Sequence, residues 1–463
     1  MEHVEVAVVG GGIAGLAAAR QLVDEGHDVL VLDGAPAAGG KLRREVVAGV
    51  PVDVGAEAML NRRPEGVDLA AGVGLAVEHP AVASSRIWTR GALRPLPRSL
   101  MGVPLDLDQL AESGVLDDAE LDRVRAEPSL APTPVGDDDL TVGDLVDARF
   151  GPAVTDRLVE PLLGGVYAGH ARRISARAAV PQLLEMARSG SLLEAGAALG
   201  ATAPTTYDRP VFACVPGGMG LFAETLTAGL PVRTGATVRG LTRTADGWDL
   251  LVGPTTSPTT VRAGAVVLAT PAAATARLLA GVDPEASDLL GRMEAASVAV
   301  VTLAYRVADV AALAEARSSG FLVPPTEGRA IKASTWSFAK WEWAGAAGAA
   351  EGVAHLRTSL GRHREEAALQ ATDADLVARS RADLAAATGL EADPVDVHVQ
   401  RWGGGLPQYP LGHLARVARV RARVAEHPGL AVCGAAYDGV GIPAVIGSAH
   451  RAVARLAEGR EAQ

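Results

Sequence analysis

Apolar positions along the chain fall into short blocks whose period changes from segment to segment. Residues 4–9 form a nearly continuous apolar run ending in glycine, and from Ile13 the spacing turns helical and continues to about Glu25. Gly26 and His27 interrupt it, and 29–32 is a second apolar block. Blocks of this length without polar alternation predict strands buried on both faces, here joined by a helix. The unit returns later. Pro216-Gly217-Gly218-Met219-Gly220 opens an apolar helix to about Ala228, short strands follow at 232–234 and 236–241, a hairpin turns at Asp246-Gly247, and 265–270 is a buried strand stopped by Pro271. It returns once more as an apolar strand over 430–433 and a helix over about 444–456, with Pro443 at its first position, where a missing N–H costs nothing.

Two other regions separate these pieces. Residues 94–205 are mostly helical in pattern, with a capping box at Thr141-Val142-Gly143-Asp144 and an acidic, proline-containing stretch at 116–139 expected to be an exposed connection. Residues 297–426 predict strands at 298–307, 320–323, 329–338, 353–360 and 395–402, with one helix over 365–387. Strands with a covering helix predict a mixed or antiparallel sheet.

The first glycine run, Gly10-Gly11-Gly12-Ile13-Ala14-Gly15, lies between the first strand and the first helix. Gly10 permits the tight turn, Gly12 lets a pyrophosphate reach the backbone, and Gly15 lets the helix pack close to the strand, with the helix N-terminus facing the phosphates. Asp33 follows about 20 residues on, where a carboxylate holds a ribose and disfavours a 2'-phosphate. A glycine fingerprint alone is weak evidence. Strand, turn, helix, strand and acid in this order indicate a dinucleotide site.

Composition narrows the class. The 463 residues suffice for about three domains. They carry 43 basic against 54 acidic side chains, a net charge of -11, which disfavours a nucleic-acid partner. With 48% hydrophobic and 21% charged residues the chain is not disordered. No apolar run reaches the ~18 residues of a membrane span, and the first strand leaves no room for a signal segment, so a cytoplasmic protein without stable membrane insertion is expected. Cys214 and Cys433 are expected to be core thiols, and the histidines show no metal-ligand spacing. No Ser, His and Asp arrangement of a hydrolase is apparent. Only three lysines, Lys41, Lys332 and Lys340, stand among the 43 basic residues, which singles them out.

Gly39-Gly40-Lys41-Leu42, with Val52-Asp53-Val54-Gly55-Ala56 beyond it, resembles the flavoprotein oxidase superfamily that contains amine oxidases, phytoene desaturases and protoporphyrinogen oxidases. Longer segments narrow the resemblance. They are Glu160-Pro161-Leu162-Leu163-Gly164-Gly165-Val166-Tyr167-Ala168-Gly169; Leu93-Arg94-Pro95-Leu96-Pro97 with Met101-Gly102-Val103-Pro104; Thr335-Trp336 with Lys340-Trp341; Arg401-Trp402 with Leu406-Pro407-Gln408-Tyr409 and Gly412-His413; and Gly439-Val440-Gly441-Ile442-Pro443. Together they cover essentially the whole chain and resemble the bacterial, soluble branch of the protoporphyrinogen and coproporphyrinogen III oxidases. Departures are Asp33, where many relatives have glutamate, Ala436 and Asp438, and the lack of an arginine near Met101, where eukaryotic relatives tend to place one.

The resemblance implies an α/β fold: a discontinuous two-dinucleotide-fold FAD domain (1–51, 212–296 and 427–463), a mixed-sheet substrate domain (52–93, 206–211 and 297–426) and a mostly helical insertion (94–205). It implies FAD held by Gly10, Gly12, Ile13, Ala14, Gly15, Asp33, Gly39, Gly40, Lys41, Leu42, Val238, Gly434, Val440, Gly441 and Ile442, with Lys41 or Arg43 offsetting the diphosphate charge. The implied reaction is oxidation of coproporphyrinogen III to coproporphyrin III in haem biosynthesis, with dioxygen as acceptor, hydrogen peroxide as co-product and a ferrochelatase as the next enzyme and partner. The flavin carries the chemistry, so no side-chain nucleophile or metal is required. A tetracarboxylate does require cations, for which Arg43, Arg62, Arg94, Lys332, Lys340 and Arg401 are candidates; on a regular strand Lys332 shares a face with Ser334 and Trp336. Protoporphyrinogen IX as substrate, another flavin amine oxidase or desaturase, and a flavin-binding haem-pathway carrier without turnover remain the alternatives.

Overall fold

The computed structural model describes residues 2–136, 138–202 and 210–461. The predicted apolar blocks assemble into one sheet in the order Val232–Arg233, Val29–Leu32, Glu2–Val9, Thr259–Leu268, Gly247–Val252, Val238–Thr244. The first four are parallel, and the last two form an antiparallel meander on the early half of Thr259–Leu268. The late half of that strand pairs with Leu430–Val432, which brings the C-terminal piece into the sheet.

Both faces are covered, which is why these strands lack polar alternation. Val6, Val8, Val31 and Val267 pack under helices Ile13–Asp24, Met219–Ala228 and Ile442–Glu461. Ala7, Val9, Leu32, Val266 and Leu268 pack under Ala272–Leu279, Pro284–Gly291 and His413–Ala425. The last helix falls in the segment grouped on sequence with the substrate part, yet Val417, Val420 and Val424 bury against this sheet. Asp53, ending the hairpin Arg44–Val47 and Val50–Asp53, accepts from Met219 N and Gly220 N at 2.8 Å each and so fastens the first piece of the sheet layer to the second. Burial pushes its carboxyl up to about 7.

The second sheet runs Asp396–Pro407, Ala295–Arg306, Val353–Leu360, Ile331–Thr335, Gly320–Leu322, Arg86–Thr89, Ala92–Pro95. It is antiparallel except where Gly320–Leu322 meets Arg86–Thr89, hence mixed. Phe321, Trp336, Leu356 and Leu360 bury one face against Leu376 and Leu384 of helix Asp373–Thr388. Register slips between Ile331 and Ala333. Ile331 and Ser334 both turn into the buried side, Ser334 opposite Phe321, so the extra residue Lys332 lies with Ala333 on the other face. The bulge therefore corrects the expectation that Lys332 points the way of Trp336.

The insertion packs its helices, among them Val142–Phe150, Glu160–Tyr167 and Pro181–Arg188, around one apolar cluster. Thr141 caps the first by accepting from Asp144 N at 3.0 Å. The acidic stretch is an exposed connection only in its second half, where the described residues of 130–139 carry no helix or strand; in the first half Asp118–Arg125 is a helix with a reciprocal Asp117 and Glu120 cap, with Leu121 and Val124 inside and Glu127 fully buried. The 206–211 segment lies mostly outside the described residues. The C-terminal helix begins at Ile442, so Pro443 is its second residue, still within the first turn whose N–H groups have no helical partner. No helix among the described residues is long and apolar enough to cross a membrane.

Candidate active site

The two N-terminal glycine runs touch. Gly12 and Gly39 form a parallel bridge, and Gly39 N donates to Gly11 O at 2.7 Å. A Cβ on Gly15 would lie 1.8 Å from Gly10 O, and one on Gly10, at φ +107°, would meet Ala269 O at 2.9 Å. Packing within the chain therefore explains these glycines. Gly12 is different: its φ is an ordinary -75°, and its Cβ would find nothing nearer than Gly40 Cα at 4.0 Å. Nothing in the polypeptide requires glycine there, and the position leaves room for a group to lie across it. Helix Ile13–Asp24 starts at this point with no side-chain cap and no acid in its first turn, leaving its first N–H groups for an anion.

Several of the remaining predicted residues are tied to the ends of the same strands and helices. Asp33 accepts from Gly11 N and from Ala35 N, and its carbonyl accepts from Ala236 N at 2.7 Å, which sets Val238 beside the end of the second strand. Gly434 N donates to Ser448 Oγ, and a Cβ on Gly434 would stand 4.0 Å from Ala14 Cβ. Leu42 is buried beneath the first helix, and Val440, Gly441 and Ile442 lead into the C-terminal helix with Leu60 3.9 Å from the Cβ position of Gly441.

Residues 53–57, joined to the second glycine run by Ala56 N donating to Lys41 O at 3.0 Å, are held from the second sheet. Arg357 donates through Nη1 to Asp53 O at 3.0 Å and Gly55 O at 2.8 Å, and its Nη2 pairs with Glu57 at 2.9 Å. Lys340 Nζ completes the cluster at 2.8 Å from Glu57 Oε1, and Ser337 adds a hydrogen bond. Burial alone would raise the Glu57 carboxyl; the charges of Arg357 and Lys340 outweigh it and hold it at about 2. Trp402 Nε1 donates to Val54 O at 3.2 Å, and Lys41 extends past Gly405 beside it, its ammonium lowered by burial. Arg357→Gln is expected to cost about 2–3 kcal/mol of stability through lost charged hydrogen bonds and to raise the dissociation constant of the bound cofactor about tenfold. An unchanged constant in a cofactor titration would show that the loop keeps its shape without the guanidinium.

The longer motifs meet at Tyr167 and Tyr409. Gln408 Nε2 donates to Tyr167 O at 2.7 Å, and Gly169 leaves no space for a Cβ beside Gln408 Oε1. Tyr409 packs on Tyr167 with ring centroids 5.5 Å apart, stacks on His413 and donates to Ala435 O in the loop before the C-terminal helix. One segment, 408–413, thus ties the insertion, the second sheet and the dinucleotide sheet together.

A profile described as flavin containing amine oxidoreductase matches residues 13–457. The chain belongs to the flavin-containing amine oxidoreductase family. Coproporphyrinogen III oxidase of Mycobacterium tuberculosis (strain ATCC 25618 / H37Rv) is 39% identical over 463 residues, covering 98% of each chain. Coproporphyrinogen III oxidase of Bacillus subtilis (strain 168) is 28% identical over 470 residues, covering 97% of each. A crystal structure from Exiguobacterium sp. 255-15, assigned to the protoporphyrinogen oxidases, superposes with a TM-score of 0.85 at 27% identity over 99% of both chains. FAD is the cofactor of this flavin oxidoreductase, and the open Gly12 position and uncapped helix fit its diphosphate.

The six candidate cations do not converge. Lys340 is committed to Glu57, and Arg401 pairs with Asp373 and donates to Ala371 O on the outer surface. Arg43 pairs with Glu45 on the surface. Arg94 donates to Thr89 O and packs on Gly114 in the edge hairpin farthest from Trp402 in strand order. Arg62 is exposed near the groove mouth strand Met59–Leu60. Lys332 alone is buried without an acid. Arg357 was absent from the sequence expectation, although an arginine inside the strand Val353–Leu360 was the available signal.

Proposed function

We propose that the protein oxidises coproporphyrinogen III to coproporphyrin III in haem biosynthesis, in the cytoplasm, with dioxygen as acceptor. The observation that carries this reading is the meeting of the porphyrin-type motifs at one wall, Gln408 on Tyr167 and Tyr409 on Ala435, beside the flavin groove. The relatives' names and their coverage of the full chain support it. FAD, held at the Gly12 turn and the first N–H groups of helix Ile13–Asp24, would supply the two-electron redox chemistry, three rounds of which would oxidise one porphyrinogen to porphyrin while three dioxygen molecules were reduced to hydrogen peroxide. The chain itself positions and encloses. Arg357 and Trp402 hold the 53–57 loop, the helix Glu160–Tyr167 excludes water from the opposite side, and the N-terminus of Ile442–Glu461 places partial positive charge where negative charge develops. No side chain is asked to take a proton from carbon beyond what solvent can accept. A ferrochelatase as recipient of the product belongs to the same reading.

Anaerobic mixing with coproporphyrinogen III is expected to bleach the flavin absorbance, and air to restore it with peroxide release. kcat/KM for coproporphyrinogen III is expected to exceed that for protoporphyrinogen IX about tenfold or more, because two further propionates offer charged hydrogen bonds of about 1.5–3 kcal/mol each. The reverse preference would support the second reading, protoporphyrinogen IX oxidation, favoured by the assignment of the Exiguobacterium structure. No bleaching with either substrate would remove both.

A further inference from the structure

Two buried basic side chains stand together with no carboxylate in ion-pair contact among the described residues. Lys332 is 4% exposed and Arg362 6%. Lys332 Nζ donates to Gly361 O at 3.0 Å, and Arg362 Nη2 to Val323 O at 3.0 Å. Neither has a carboxylate within ion-pair distance among the described residues, and burial first, then the Arg362 charge, bring the Lys332 ammonium down to about 7. Glu365 and then Glu160 act on Arg362 from beyond ion-pair distance, and Glu160 spends its carboxylate on Ala171 N. Lysine and arginine are almost never buried unless paired, because removing each ion from water costs several kcal/mol. An unpaired pair is therefore a site that something else completes.

Its place is defined by the bulge. Lys332 lies on the sheet face away from Trp336, with Ala333 and, opposite Ala333, Leu322. Leu322 reaches to 3.9 Å from the Cβ position of Gly165 in the helix Glu160–Tyr167, and His363 N donates to Ala168 O at 2.7 Å just beyond that helix. The two cations therefore sit where the sheet meets the helix Glu160–Tyr167. Lys332 keeps two donors to spare, and the Arg362 guanidinium keeps four N–H groups in a planar fork suited to two oxygens.

We propose that Lys332 and Arg362 form a carboxylate-binding site, and that its ligand is a propionate of the porphyrinogen. The identity of the ligand rests on the functional reading above; the anion site rests on the geometry. Lys340 and Arg401, matched to the same family motifs, are excluded by their own ion pairs.

Lys332→Met and Arg362→Met test it with two readouts. KM for coproporphyrinogen III is expected to rise about tenfold in each, a loss of ~1.4 kcal/mol, with one FAD retained per chain. The substrate-free melting temperature is expected to rise, since an unpaired buried charge has gone, and the gain in melting temperature that added coproporphyrin III gives the wild type is expected to shrink. Lys332→Arg, which keeps the charge, should hold KM within about threefold of wild type. Unchanged KM overturns the site while leaving the functional reading in place. A fall in melting temperature, or failure of Lys332→Met to fold, also overturns it, because it would make the ammonium a stabilising core group. A wild-type protein that oxidises no coproporphyrinogen III and binds no coproporphyrin III defeats the functional reading and the ligand assignment together.

Discussion

Gly12→Ala is expected to yield a protein that folds like the wild-type apoprotein and binds FAD at least a hundredfold more weakly. The reasoning is one of space. A Cβ at Gly12 meets no protein atom nearer than 4.0 Å, and the backbone there lies in a region open to any residue, so the substitution carries no steric cost without cofactor. With FAD bound, the methyl would occupy the diphosphate's approach to the first N–H groups of helix Ile13–Asp24. A hundredfold loss is ~2.7 kcal/mol, the scale of one or two charged hydrogen bonds. Gly15→Ala supplies the contrast. Its Cβ would lie 1.8 Å from Gly10 O, so the helix must move off the strand, and both the apoprotein's melting temperature and FAD binding should fall. Fluorescence titration of each apoprotein with FAD, alongside its thermal midpoint, separates the two. A Gly12→Ala protein that retains FAD as tightly as wild type would show that the diphosphate runs elsewhere.

Why Gly12 was legible and the cations were not follows from the range of the interactions. The glycine runs, the apolar strands and Asp33 are read from neighbours within one strand, turn and helix, and each strand announces burial on both faces by its own composition. The cations depend on partners far away. Lys340 is neutralised by Glu57 and Arg401 by Asp373, residues with no pattern that marks them in advance. The face of Lys332 was set by a one-residue slip against Val353–Leu360, and period-two reasoning fails at a bulge by construction. Helix His413–Ala425 shows an apolar stripe in sequence, but a stripe does not say which of two sheets it covers. The acidic stretch around Glu127 misled for a related reason. Charge density suggested solvent, whereas the one buried glutamate there is matched by an arginine one helix later.

That glutamate carries the largest stability effect expected in the molecule. Glu127 is fully buried, Arg149 is 2% exposed, and Arg149 Nε donates to Glu127 Oε1 at 2.6 Å while Nη2 pairs with the same oxygen. The carboxylate also accepts from Ser191 Oγ, from Leu192 N at 2.9 Å and from Leu193 N at 3.2 Å, so it caps helix Leu192–Thr202 from a distant segment. Glu127→Ala removes all of these at once and leaves Arg149 charged, buried and held only by the carbonyls of Ala131 and Glu127's own backbone. Breaking such a pair from one side costs about 3–5 kcal/mol. Replacing both members, as Glu127→Leu with Arg149→Met, should recover most of it, because no uncompensated charge is left and only the cap of about 1 kcal/mol is lost. Helix Glu160–Tyr167 packs in the same cluster, so in Glu127→Ala the substrate wall should melt early: turnover is expected to fall with temperature well before FAD is released. Urea unfolding followed by far-ultraviolet circular dichroism measures the first effect, and flavin fluorescence against residual activity along a thermal ramp measures the second. A loss below about 1 kcal/mol in Glu127→Ala would place the pair among exposed ion pairs in energy, and the insertion would then owe its stability to its apolar cluster alone.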